Sequence, residues 1–167
     1  MDRPEHEADP IGRIEIELLT LVRHLETFGR RSDLYARVDR AGYLALRTLD
    51  ELGAMNIHAL SETLHLDAST VTRQVGVMQV EGLVDRRLDR VDRRSSVVVL
   101  TPAGRRIMRS VERKRRRLFA SLTKDWSSED QENFGRLTAT LNVSLIERDV
   151  AVRDTRHSGS SMRRAKE

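Results

Sequence analysis

The chain has 167 residues, 38% of them hydrophobic, which suffices for a sizeable core within a single domain. It contains no cysteine, so disulfides, thiolate metal sites, cysteine nucleophiles and thiol-based redox sensing are excluded. Its 30 Lys+Arg against 26 Asp+Glu give a net charge of only +4, but the excess is concentrated between positions 86 and 117, and localised positive charge suggests a polyanionic partner.

No run approaches 18 apolar residues, and Met1 to Glu7 hold no apolar stretch of the signal-peptide kind. The expectation is a cytoplasmic protein without membrane contact. Residues 1–10 are polar, carry two of the three prolines and read as a loose arm. Ile11, Ile14, Leu18, Leu21, Val22, Leu25 and Phe28 then recur at three- and four-residue steps, a long amphipathic helix over about 11–29 that Gly29 would end. Asp39 is placed to cap a second helix through Tyr43, Leu46 and Leu49, with Gly53 stopping it.

Asn56 reads as the N-cap of a short third helix bearing Ile57, Leu60 and Leu64. After a tight connection at His65 and Leu66, Asp67 caps a fourth helix running to about Glu81. Val71, Val75 and Met78 make its inward face, and Gly82 closes it. The period then changes. Val84–Leu88 and Val97–Leu100 read as two short strands around the charged loop Asp89 to Ser96, which is too long and polar for a two-residue turn. Thr101-Pro102 starts a fifth helix through Ile107, Val111 and Leu122. Ser127 and Asp130 resemble a capping box for a last helix carrying Phe134, Leu137, Leu141 and Leu145, expected to end near Val150. Residues 151–167 read as a disordered basic tail.

Two tightly joined short helices followed by a β-hairpin make a winged helix-turn-helix on pattern alone. The second helix of the pair presents Ser69, Thr70, Thr72, Arg73 and Gln74 on or beside its outer surface. Small hydroxyls let a helix approach DNA closely, and Arg73 reaches a guanine edge or a phosphate. The plainer reading is a solvated helix with ordinary polar residues. The arginines of the hairpin, Arg86, Arg90 and Arg94 among them, argue against it, since a projecting arginine can enter a minor groove. Asp92 fits the role of orienting Arg94 through a charge-assisted hydrogen bond.

The run Leu66-Asp-Ala-Ser-Thr-Val-Thr-Arg73, followed by Glu81-Gly-Leu-Val84, Asp92-Arg-Arg94 and Val99-Leu-Thr-Pro-Ala-Gly104, resembles the MarR family of winged-helix transcriptional regulators over roughly residues 14–150. The resemblance implies a mainly α fold with a small β-hairpin wing, in which the winged helix-turn-helix (about 39–101) is flanked by dimerisation helices (about 11–29 and 102–150) within one domain over 11–150. It implies a homodimer on palindromic double-stranded DNA, with Ser69 to Glu81 as recognition helix and Asp92 and Arg94 matching the family's wing pair. It also implies a repressor, released by a small aromatic or phenolic effector and associated with the nucleoid when bound. The stripes at Ile14, Leu18, Leu21 and Leu25, and at Leu137, Leu141 and Leu145, exceed what one compact winged domain needs to cover, which independently favours dimerisation.

His24, Phe28, Tyr35 and Tyr43 are the candidate effector-pocket groups near the expected helix junction; each also reads as ordinary core or interface. His58, Glu62 and His65 have i, i+4, i+7 spacing, but the helix should end near Leu64, so no metal site is expected. Arg113 to Arg117 read as a salt-bridged face, with Glu129, Asp130 and Glu132 as candidate partners, or as a second DNA contact. No phosphate loop, G-x-S-x-G elbow or H-E-x-x-H motif is present, so neither an enzyme nor a cofactor is expected. The alternative function is a winged-helix module that contacts protein rather than DNA.

Overall fold

The computed structural model describes residues 9–89 and 95–164, with side chains up to residue 149. In chain order it comprises α1 (Pro10–Arg31), a 3-10 turn (Asp33–Tyr35), α2 (Arg40–Leu52), α3 (Ile57–Leu64), α4 (Ala68–Val80), β1 (Val84–Leu88), β2 (Ser96–Leu100), α5 (Pro102–Leu122) and α6 (Ser128–Arg164). The expected mainly α fold with a hairpin wing is what forms. Contacts divide the chain into two compact units, Met1–Arg115 and Arg116–Glu167, where the sequence suggests one domain over 11–150.

In the first unit, side-chain caps set the helix starts. Asp9 accepts the Ile11 N–H at 3.0 Å, with Pro10 at the first helical position; Asp39 accepts the Gly42 N–H at 2.7 Å, and Asn56 accepts the Ala59 N–H at 2.8 Å. Each satisfies a donor that the first helical turn leaves open. The arm expected over 1–10 therefore ends in a helix start; residues 1–8 lie outside the described residues. Gly29 does not end α1, which runs two residues further until the Ser32 N–H donates to the Phe28 carbonyl. A single glycine weakens a helix without stopping it when the residues beyond it also favour helix.

Apolar residues from α2, α3, α4, the wing and α5 form one cluster, with Leu46, Leu60, Val75 and Val98 at its centre. The wing is an antiparallel pair in the register Val84↔Leu100 through Leu88↔Ser96. The connection between α2 and α3 adds a further bridge, with the Val98 N–H donating to the Met55 carbonyl at 2.8 Å. The hairpin root is thus tied to the helices by main chain as well as by side chains. At the start of α5, Thr101 donates its hydroxyl to the Gly82 and Leu83 carbonyls at 2.8 and 3.0 Å and accepts the Gly104 N–H at 3.0 Å. A Cβ on Gly104 would collide with the Leu83 carbonyl oxygen, so only glycine lets α5 meet the main chain leading into β1 this closely.

Helix α1 buries none of its 22 residues. Ile14, Leu18 and Leu21 are exposed and Leu25 is half-buried. In the second unit, Ser127 caps α6, accepting the Asp130 N–H at 3.0 Å and donating its hydroxyl to the Asp130 carboxylate at 2.6 Å. Trp126 and Phe134 meet edge to face at 5.4 Å. Leu137, Leu141 and Leu145 are exposed along α6. That helix continues to Arg164, past the end expected near Val150 and through most of the stretch read as a disordered tail. The polarity of 151–164 speaks against burial, but that stretch holds no proline and one glycine, so nothing in it forbids helix. No helix among the described residues is long and apolar enough to cross a membrane.

Candidate nucleic-acid interface

Two helix endings of the same kind position α4. At the end of α3, the Leu66 N–H reaches the Ser61 carbonyl (3.0 Å) and the His65 N–H the Glu62 carbonyl (3.1 Å), with His65 at φ 53°. At the end of α4, the Leu83 N–H reaches Met78 (2.8 Å) and the Gly82 N–H reaches Gln79 (3.0 Å), with Gly82 at φ 69°. Both are Schellman endings, which turn the chain sharply through one left-handed residue. The first uses histidine, which bears a Cβ penalty that glycine avoids. This removes His65 from the face of His58 and Glu62. Those two pair at 3.3 Å on α3, and no cluster of three metal-ligating groups occurs among the described residues.

Asp67 occupies the N-cap position of α4 without a side-chain cap bond; its carbonyl accepts the Val71 N–H at 3.1 Å. Val71, Val75 and Met78 are buried, as their spacing predicts. Ser69, Thr72 and Arg73 are exposed and Thr70 is half-buried. The Thr72 hydroxyl donates to the Ala68 carbonyl at 2.7 Å, which leaves its oxygen lone pairs outward as acceptors. Gln74 is half-exposed, beside the outward face. Its Nε2 donates to Asp39 Oδ1 at 2.8 Å, so it ties α4 to the start of α2. Three residues after Val71 and one before Val75, position 74 lies on the flank of the buried face, where a long amide is drawn inward.

On β1, Arg86 is exposed and stands opposite Val98. Arg87 lies 3.5 Å from Asp85. The wing residues Arg90, Asp92 and Arg94 lie outside the described residues. Arg73 and Arg86 thus project from consecutive elements of one unit, and α4 carries no acidic residue.

Of the candidate pocket groups, Tyr35 and Tyr43 come together, their rings 6.4 Å apart. Arg115 donates to the Tyr35 hydroxyl at 2.5 Å and lies 5.7 Å over the Tyr43 ring. His24 and Phe28 are exposed on α1. Lys114 donates to the Asp33 carboxylate at 2.7 Å. That hydrogen bond, reinforced by the ammonium charge, holds the Asp33 carboxyl below its ordinary value. Two members of the basic run on α5 thereby engage the 3-10 turn and α2. An open cleft of about 40 Å³ beside them is lined by Leu34, Ile107, Val111 and Lys114. Neither these long-range partners nor the Gln74–Asp39 tie leaves a sequence signal, since each joins residues at least 35 positions apart.

The MarR family model matches residues 39–96. The uncharacterised HTH-type transcriptional regulator YxaD of Bacillus subtilis (strain 168) is 31% identical over 139 residues, covering 83% of this chain and 97% of that protein. A MarR family protein from Bacillus stearothermophilus superposes with a TM-score of 0.70 at 26% identity, over 86% of this chain and 99% of the other. The PcaV transcriptional regulator of Streptomyces coelicolor, solved in complex with its natural ligand, has a TM-score of 0.61 at 21% identity, over 87% and 99% of the two chains.

Proposed function

The chain belongs to the MarR family of winged helix-turn-helix, DNA-binding transcriptional regulators, and on that premise we propose that it represses transcription as a homodimer on palindromic duplex DNA. Ser69, Thr72 and Arg73 enter the major groove, and Arg86 with the wing residues Arg90 and Arg94 serves the flanking backbone and minor groove. One observation carries the reading: the exposed face of α4 presents hydroxyls and a single arginine, with no acid, next to an exposed arginine on β1. A polyanion fits that surface. Thr70 lies at its edge, and Gln74 supports it from behind through Asp39.

Homodimerisation is supported by the exposed apolar residues of α1 and, separately, of α6. In the proposed cycle a small, mostly apolar effector releases the DNA. The ligand complex of PcaV supports this part. The cleft beside the 3-10 turn, at about 40 Å³, is far below the roughly 300 Å³ at which ligand pockets begin, so this cleft would have to open to hold an effector.

Arg73→Ala tests the DNA reading. Against single-base variants of a duplex selected by the protein from a random pool, it should cost about 1–3 kcal/mol at one position. Equal loss on every sequence would show that Arg73 holds only phosphate, and no selected sequence at all would refute specific binding. For the effector, fluorescence anisotropy on that duplex with aromatic acids and phenols should show about fivefold or greater weakening. Shifts under twofold for every compound would refute release.

A further inference from the structure

Helix α4 carries one charged residue, Arg73, among thirteen, in a chain that is 34% charged. Its outward stripe runs Ser69, Arg73, Val77 and Val80, with Gly76 alongside, at the three- and four-residue steps of a single helical face. An outward face is ordinarily filled by charged and polar residues. Here the second half of the stripe is small and apolar: Val77 is 51% exposed and Val80 90%. Gly76 adds a second, independent oddity. A Cβ built on it would meet nothing within 4 Å, so no packing among the described residues requires glycine there. Glycine in a helix interior is nevertheless destabilising relative to alanine, and valine is a weaker helix former than most residues.

Three positions that weaken the helix, and whose exposed surface meets no partner among the described residues, mark a surface that something else approaches closely. Charge selects the occupant. The stripe has no acid, carries Arg73 in its first half and is followed on the next element by the exposed Arg86. Duplex DNA combines dense negative charge with apolar groups that a helix can touch, the thymine 5-methyls of the major groove.

Resting on the DNA-binding reading, we propose that Gly76, Val77 and Val80 form an apolar reading surface for thymine methyl groups. Gly76 allows α4 to close on the groove, while the two valines contact the methyls. Sequence choice is then divided along the helix: Arg73 reads a polar base edge, and the turns beyond it select thymine.

The test uses duplexes selected from a random pool by the full chain. Each thymine is replaced in turn by deoxyuridine, which preserves pairing and removes only the methyl. At one or more positions per half-site, affinity should fall about fourfold, the value of one buried methylene-sized group. In Val77→Ala or Val80→Ala the penalty should vanish at the position that valine serves and persist elsewhere. Gly76→Ala should raise the Tm and yet weaken specific binding by about tenfold, the size of one mismatched base pair. A variant that is more stable and binds worse cannot owe its defect to misfolding. Deoxyuridine that is neutral at every position, or Gly76→Ala with unchanged affinity, would overturn the proposal while leaving DNA binding intact. A pool that yields no preferred sequence would overturn the DNA-binding reading and this inference with it.

Discussion

Helix α2 has thirteen residues and buries five of them, whereas α1 has 22 and buries none. Both show apolar residues at helical spacing, so periodicity alone makes them look alike. They differ in what covers the stripe. Leu46 and Leu49 of α2 belong to one buried cluster with residues of α4, the wing and α5; Ile11 and Ile14 of α1 remain 72% and 52% exposed. Amphipathicity announces that a face is to be buried, and says nothing about whether the same chain will bury it.

Truncation in the closed region should have the largest effect. Leu46 is fully buried, so Leu46→Ala should cost about 2–5 kcal/mol, equally at every protein concentration in denaturant unfolding. If that loss varied with concentration, the winged region would not be self-sufficient. The open region should respond in the opposite manner. Leu21→Asp or Leu141→Asp should cost on the order of 3 kcal/mol of dimer stability by leaving a charge unpaired in an interface, read as a change in sedimentation coefficient while the chain stays folded. An unchanged coefficient for both would place the interface elsewhere.

Most of the closed region was legible because it is governed by local rules. Asp39, Asn56, Gly53 and Gly82 mark helix ends through cap and turn chemistry that involves residues only a few positions away. The outward placement of Ser69, Thr72 and Arg73 followed from the buried Val71, Val75 and Met78. What escaped was long-range. Gln74, expected on or beside the outer surface, is half-exposed and also reaches Asp39 at 2.8 Å. Lys114 and Arg115 read in sequence as part of one basic run, but they reach Asp33 and Tyr35, about 80 positions away. The end of α6 differs for another reason: the polarity of 151–164 predicts disorder, but the stretch continues a helix already started and holds no proline to stop it.

Gly104 probes the seam where the wing joins the helices. Gly104→Ala forces a methyl onto the Leu83 carbonyl and should cost about 1–3 kcal/mol. The loss should appear in unfolding experiments and, because Leu83 leads into β1, in weaker DNA binding as well. A neutral outcome would mean that α5 can shift without disturbing the wing.

The smallest effect is expected at the exposed Lys114–Asp33 pair. Because the Asp33 carboxyl is held below its ordinary value near 3.8, its contribution to stability is present above that pH and is lost as pH falls through the depressed value. Lys114→Met should return Asp33 towards the ordinary value in a carboxyl-detected NMR titration. The stability difference between the two proteins should be measurable at neutral pH and shrink in acid. A difference that grew in acid would reverse the assigned sign.

The contrast between a region that closes on itself and helices that do not is tested most directly by sedimentation of the full chain at micromolar concentration, alone and with a selected palindromic duplex. The expected species is a dimer of 19.1 kDa chains, two chains occupying each duplex. Folded monomers that bind single half-sites as tightly as whole palindromes would contradict it.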